Sequence, residues 1–233
     1  SCGIGFVVDM KGRSSHTVVE QGLTVLKNLL HRGACGAEDN TGDGAGILLQ
    51  IPDLFLREIS REQGIELPEK GAYGTGIVFL PTSEQERAES KNSLEKIISE
   101  EDQTLLGWRD IQVDNSMIGP SAQGTQPFFS QVFIGKGNDS LDREAFERKL
   151  YVIRKRTEHC IWNSNLKQKA FFYIPSLSSK TIVYKGMLIG DQLQPMFTDL
   201  LDERVQSALA LVHQRFSTNT FPSWPLAQPF RFI

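Results

Sequence analysis

A cysteine stands at position 2, almost at the start of the chain, and its chemistry depends on what precedes it. A thiol on a first residue can use its own α-amine as general base. The amine has a reference pKa of ~7.7–8.0 and the thiol ~8.5, so proton transfer between them costs little near neutrality. The amine is tethered to the nucleophile by a few bonds, which supplies proximity without a separate histidine. Taken alone, such a cysteine is more often an accident of a frayed terminus. The following residues change that weighting: Gly3 and Gly5 flank Ile4 and lead into Phe6-Val7-Val8, a run that suits a buried strand. Ser1 leaves three readings, in descending order: a scar of expression, the last residue of an unprocessed pro-segment, or itself the nucleophile with an alcohol in place of the thiol. While Ser1 is attached, Cys2 has an amide nitrogen and the amine-as-base mechanism fails.

Three further constellations carry chemistry-bearing residue types. His31-Arg32-Gly33 follows a helical pattern, and two cations at the negative end of a helix dipole explain themselves without a function. Gly42-Asp43-Gly44-Ala45-Gly46 looks superficially like a phosphate loop, yet it precedes a strand and lacks the Lys and the following Gly-Lys-Ser/Thr; it reads as a tight turn. The run His213-Gln214-Arg215-Phe216-Ser217-Thr218-Asn219-Thr220 brings an arginine and then a row of hydroxyl and amide side chains. Arginine suits a bidentate grip on a carboxylate, and the loop beside it offers hydroxyls and N–H groups to an amino-acid ligand; the plainer alternative is a polar loop of Asx and Ser/Thr turns.

The elements that must position these residues follow from periodicity. Gly3–Val8 reads as a short buried strand, and residues 17–30 read as a helix with a Thr17/Glu20 capping box. Val19, Leu23, Leu26 and Leu30 share one face of it, and Gly33 stops it. A glycine-rich loop over 32–46 feeds a strand at 47–51. Residues 76–80 are strand-like, and Ser83 with Glu86 caps a charged helix running to about Glu101. A strand at 128–134 precedes a helix with Ser140 as N-cap and Phe146, Leu150, Ile153 and Thr157 along one stripe, in which Cys160 reads as core. Strands are expected at 170–174, 181–184 and 207–213, with a mixed helical segment at 192–201. Strands and amphipathic helices without strict βαβ alternation favour an α+β fold with helices on the outer faces of sheets.

The chain has 233 residues, 39% of them apolar and 23% charged, with 25 Lys and Arg against 28 Asp and Glu. That length suits one or two domains, and the balance supplies no electrostatic drive toward nucleic acid or anionic lipid. No apolar run reaches the ~18–20 residues of a membrane span. Cys2, Cys35 and Cys160 are too few and too scattered for a disulfide framework or a zinc site. A globular intracellular protein is expected.

Read together, Cys2–Phe6, the run His31–Gly46, Gly107–Asp110, Ser179–Met187 and above all Val212–Arg231 (VHQRFSTNTFPSWPLAQPFR) resemble the glutamine amidotransferase domain of glutamate synthases, of the type 2, N-terminal-nucleophile kind. The resemblance spans residues 1–233 in family order. It implies a four-layered αββα fold in which helices cover two stacked antiparallel sheets. It also implies hydrolysis of glutamine to glutamate and ammonia, with the ammonia channelled to a synthase region that reduces 2-iminoglutarate. By the same resemblance Cys2 matches the nucleophile, Arg215 the residue holding the glutamine α-carboxylate, and Phe216, Ser217, Thr218 and Asn219 the adjoining glutamine loop. His31 and Arg32 match a motif near the site.

The same resemblance implies FMN and an iron–sulfur cluster in that synthase region and no cofactor or metal in this chain. A small electron-donor subunit or ferredoxin is the implied electron partner. The expected location is the cytoplasm, or the plastid stroma in a plant or alga. The family's oxyanion-hole Asn-Gly pair and amine-binding Asp follow the Arg215 motif, and the chain stops at Ile233 before either. The expectation is therefore a domain incomplete at its C-terminus and inactive as a 233-residue piece by itself, with Phe230 and Phe232 exposed on a strand edge. The alternative is an inactive fragment, or a domain with a blocked Cys2, serving only as a binding or structural module.

Overall fold

The computed structural model describes residues 2–36, 38–138 and 141–230. In chain order the elements are β1 (Gly3–Val8), α1 (His16–Asn28), β2 (Ala45–Gln50), α2 (Asp53–Glu62), β3 (Tyr73–Leu80), α3 (Glu84–Glu100), β4 (Thr104–Asp110), α4 (Pro120–Gly124), β5 (Phe128–Gly135), α5 (Arg143–Trp162), β6 (Thr181–Gly186), α6 (Leu193–Met196) and β7 (Leu209–Gln214). Short 3-10 turns lie at Leu30–Arg32, Lys169–Phe171 and Thr198–Leu201. Two sheets with antiparallel pairing and interleaved helices make the fold α+β, as the sequence pattern implies.

The chain separates into two compact units, one of Ser1–Phe55, Gln112–Gln126 and Val183–Ile233, the other of Leu56–Ile111 and Pro127–Ile182. The first unit holds a sheet in the order β1-β7-β2-β6, with β7 antiparallel to both β1 and β2. The register Gly3↔Gln214, Gly5↔Val212 and Val7↔Ala210 puts these residues on one face. Helix α1 lies against that face, where a methyl on Gly5 would meet Val25 at 2.5 Å, and buries Val18, Val19, Leu23 and Leu26. The helix starts earlier than the Thr17/Glu20 pattern predicts. Ser15 is its N-cap, with its hydroxyl accepting the Val18 N–H at 3.4 Å, so Thr17 already lies in the first turn. Leu30 falls in the following 3-10 turn and is 40% exposed, off the buried stripe.

The other face of β1 carries Ile4, Phe6 and Val8, which are 66%, 68% and 48% exposed. Apolar surface is therefore open on this strand. Phe230, expected to be exposed on a strand edge, is half-buried and belongs to no strand; Phe232 and Ser1 lie outside the described residues.

The second unit holds the sheet β3-β5-β4, antiparallel throughout. Val78, Leu80, Val132 and Ile134 form one core with Leu94 and Ile97 of α3 and Phe146, Leu150 and Ile153 of α5. The α5 stripe is as its periodicity predicts, but Cys160 is exposed, and Ile161 takes the buried place in the last turn. Asp142 caps α5, accepting the Ala145 N–H at 2.6 Å, while Ser140 lies outside the described residues. The Ser83/Glu86 box does not close. Glu86 instead accepts the Lys167 and Gln168 N–H groups, and Gln168 Oε1 accepts that of Ser83 at 2.9 Å. Residues 170–174 are not a strand: a 3-10 turn leads to a single bridge, Tyr173 to Phe79, and Pro175 has no N–H with which to extend it.

Candidate active site

The first and last strands of the chain are neighbours, and that adjacency assembles the site. The terminal pair Gly3↔Gln214 brings Cys2 beside the segment that leaves β7, while Ala45↔Gln214 brings Asp43 and Gly44 up on its other side. The Cys2 sulfur accepts the Phe216 N–H at 3.3 Å, and its thiol lies 3.6 Å from the Phe216 carbonyl oxygen. The Arg215 N–H donates to the Gly44 carbonyl at 2.8 Å, which holds the segment to the turn before β2. Gly44 has φ +141°, and a methyl there would lie 2.9 Å from Ala227. Only glycine fits.

Arg215 is 7% exposed. Its guanidinium donates to the Asp43 carbonyl at 3.2 Å and to Thr220 Oγ1 at 2.7 Å. These two bonds use two of its five N–H groups, and among the described residues no carboxylate lies within ion-pair distance. Burying a guanidinium without a counter-charge costs several kcal/mol, on the order expected for an unpaired buried ion.

Asp43 was not singled out by sequence reasoning, yet it connects the parts. It is 5% exposed, its Oδ2 accepts the Ser217 N–H at 2.6 Å, and its own N–H donates to Ala34 O at 3.0 Å. The available signal was a lone carboxylate among glycines at the mouth of a strand whose residues are buried up to Gln50, a place where a charge must be paired. Asp43, Ser217, Thr218, Asn219, Thr220, Phe221 and Pro222 line a cavity of about 390 Å³, within the ~300–1,000 Å³ of small-molecule sites. The side chains of Thr218 and Asn219 are exposed and make no hydrogen bond among the described residues, whereas the Ser217 hydroxyl bonds the Thr220 carbonyl. Phe216 contributes its main chain, and its ring is 38% exposed. Cys2 meets this loop at Phe216, one residue before the cavity wall.

His31 and Arg32 lie exposed in the 3-10 turn after α1. Arg32 abuts the start of β1, its Cβ 2.9 Å from where a methyl on Gly3 would stand, but His31 makes no hydrogen bond among the described residues. A larger depression of about 640 Å³ lies in the second unit between the start of α3 and residues 164–168. Its Glu86 carboxylate is spent on two main-chain N–H groups, and no thiol or imidazole lines it. The thiols differ in setting: burial first, then the Asp39, Asp43 and Asp191 carboxylates, push Cys35 above the ordinary thiol range, leaving less thiolate near neutrality. Among the described residues no group of three or more His, Cys, Asp or Glu is arranged to hold a metal ion, and no helix is long and apolar enough to cross a membrane.

His213 is 6% exposed, and its Nδ1 has no partner among the described residues. Burial first and the Arg215 charge second push it down to about 4. The unfolded chain takes up this proton near pH 6.5 and the folded chain only near 4, so stability is retained above 6.5 and falls as pH drops through that window. The loss amounts to ~3 kcal/mol at ~1.36 kcal/mol per pKa unit. Thermal melts of the wild type and of His213→Gln between pH 7 and 4 check this. The variant should lose most of the slope, and equal slopes would refute the assignment.

The family model described as "Glutamine amidotransferases class-II" matches residues 2–233. The large chain of glutamate synthase [NADPH] from Bacillus subtilis (strain 168) is 48% identical over 233 residues, all of this chain and 15% of that protein. The corresponding large chain of Azospirillum brasilense is 40% identical over 234 residues, again 15% of its length. Ferredoxin-dependent glutamate synthase 2, chloroplastic, of Arabidopsis thaliana is 38% identical over 233 residues, 14% of its length. The chain thus spans about 15% of the length of these relatives. With a family model matched over residues 2–233, this chain belongs to the class-II glutamine amidotransferases.

Proposed function

We propose that residues 1–233 act as the glutaminase part of a glutamate synthase, hydrolysing glutamine to glutamate and ammonia through a thioester on Cys2. The observation that carries this reading is Arg215, a buried guanidinium with donors to spare and no carboxylate partner among the described residues, one residue from the main chain that contacts the Cys2 sulfur. The α-carboxylate of glutamine is the anion that Arg215 lacks, and Thr218 and Asn219 offer polar contacts to the rest of the amino acid.

In the reaction the Cys2 thiol gives its proton to the Cys2 α-amine, and the sulfur attacks the side-chain carbonyl carbon of glutamine. Collapse of the tetrahedral adduct breaks the C–N bond, and the amine returns the proton to the leaving group as ammonia. Water then hydrolyses the thioester, releasing glutamate and restoring the thiol. The mechanism requires Cys2 to be the first residue of the active polypeptide. The Phe216 N–H donates a hydrogen bond to the sulfur in this arrangement.

The proposal extends to the whole protein: ammonia passes to a synthase region that reduces 2-iminoglutarate, and the relatives' names point to NADPH or ferredoxin as the electron source. FMN and an iron–sulfur cluster supply the redox chemistry of that region. The residues of this chain do not fit such a cluster, for Cys2, Cys35 and Cys160 are not grouped with further ligands among the described residues. A cytoplasmic location, or a plastid one, accompanies this reading.

A diazo-ketone analogue of glutamine should label Cys2 before Cys35 or Cys160, with glutamine protecting. Labelling of either other thiol first, or no protection by glutamine, would refute the assignment. The mass of the N-terminal peptide reports in the same experiment whether Cys2 carries a free amine.

A further inference from the structure

Phe221 and Pro222 line the candidate glutamine cavity together with Asp43, and they begin a strap that runs on to Phe230 without regular structure. Phe221 is 94% exposed, so its own packing does not hold this wall. The strap is fixed to the sheet farther along. The Trp224 ring lies on Gly186, with its Nε1 donating to the Ala122 carbonyl at 3.2 Å, and Ala227 lies on Gly44. Between these two contacts lies Lys185 of β6.

Lys185 is wholly buried. Its Nζ donates to the Pro225 carbonyl at 2.9 Å and to the Ala227 carbonyl at 2.6 Å, and it stands 4.4 Å from the centre of the Phe230 ring. The ammonium thus gathers three points of the strap within six residues, two by charge-assisted hydrogen bonds and one by a cation–π contact. The sheet makes room for this. A methyl on Gly46, in the neighbouring strand, would lie 2.6 Å from Lys185 Cβ and 2.5 Å from the Gln228 carbonyl oxygen. A buried lysine is costly in a position that a leucine or methionine would fill, and here its charge is directed at main-chain carbonyls of the segment that starts at the cavity wall.

We infer that Lys185 is a positioning residue for substrate binding: its ammonium sets the strap, and through it the Phe221–Pro222 wall and the Ala227–Gly44 contact behind Arg215. This inference rests on the proposed glutaminase reading and adds a residue outside the cavity to it. Lys185 touches neither the Cys2 sulfur nor the Arg215 guanidinium. Its loss should therefore weaken glutamine binding and leave the thiol chemistry intact.

The test uses the full-length enzyme with Lys185→Met, which keeps the length and removes the donors, and Lys185→Arg, which keeps the charge but moves it. Glutamine KM should rise at least tenfold in Lys185→Met and about threefold in Lys185→Arg, with kcat within threefold of wild type in both. The rate at which iodoacetamide alkylates Cys2 should not change. Wild-type KM in Lys185→Met, or a fall in kcat with KM unchanged, overturns the inference, because a merely structural lysine would lower the apparent kcat with the fraction folded and leave KM as it is. Where Lys185→Met proves too unstable to purify, Lys185→Arg decides alone: a wild-type KM overturns the inference. Absence of glutamine hydrolysis in the wild-type enzyme would refute the glutaminase reading itself, and is distinguishable because it precedes any comparison of variants.

Discussion

Cys2→Ala is expected to lower glutamine-dependent ammonia release by at least ~10³-fold, because no thioester can form and direct attack by water on an amide is slow. The substitution should not unfold the chain. Cys2 is exposed, and among the described residues its sulfur hydrogen-bonds only to the main chain of Phe216. Thermal melting within a few degrees of wild type is therefore part of the expected result. Cys160→Ala, on the exposed side of α5, should leave the rate within twofold and serves as the control for thiol loss as such. A Cys2→Ala enzyme that kept a tenth of the wild-type rate would rule out covalent catalysis at this position. The same variant should still support synthesis from added ammonia in the full-length enzyme, since free ammonia bypasses the glutamine site.

Much of the site is legible in the sequence because its parts sit at the ends of elements with strong patterns. The apolar alternation of β7 places Arg215 at a strand end, and Gly3–Val8 places Cys2 at another. That these two ends meet is a matter of strand order, which no local pattern encodes. The resemblance to a family supplied that pairing, and periodicity did not. Asp43 went unread for the same reason: its partners Arg215 and Ser217 are more than 170 residues away, and locally it is one more polar residue in a glycine turn.

Helix caps were misplaced by short-range chemistry. Thr17/Glu20 and Ser83/Glu86 have the spacing of capping boxes, but Ser15 reaches Val18 first, and Glu86 finds better donors at Lys167 and Gln168, brought close by tertiary structure. The aromatic run at 170–174 has strand composition, yet Pro175 and the 3-10 turn before it leave room for a single bridge. Helix α2 is amphipathic at the helical period: Phe55, Leu56 and Ile59 share a buried face, while Leu54 is 51% exposed.

Arg215→Lys keeps the charge in place and removes the planar fork, and this makes it the sharper test of how glutamine is held. In the wild type the Asp43 carbonyl and the Thr220 hydroxyl fix the plane of the guanidinium, leaving three N–H groups on one rigid frame for a carboxylate. A lysine ammonium has three donors in all and no fixed plane, so satisfying Asp43 and Thr220 would leave it one for the substrate. Losing one charge-assisted contact costs ~1.5–3 kcal/mol, which corresponds to a rise of roughly 10- to 150-fold in glutamine KM. The α-carboxylate lies away from the reacting amide and is bound alike in ground and transition states, so kcat should change little. Thr220→Val, which removes only the hydroxyl that orients the fork, should raise KM less. Combined with Arg215→Lys it should add nothing, because its effect acts through a fork that is no longer there. Additive effects of the two substitutions would mean that Thr220 contacts the ligand independently of Arg215. An unchanged KM in Arg215→Lys would mean that the buried guanidinium serves the loop and not the substrate.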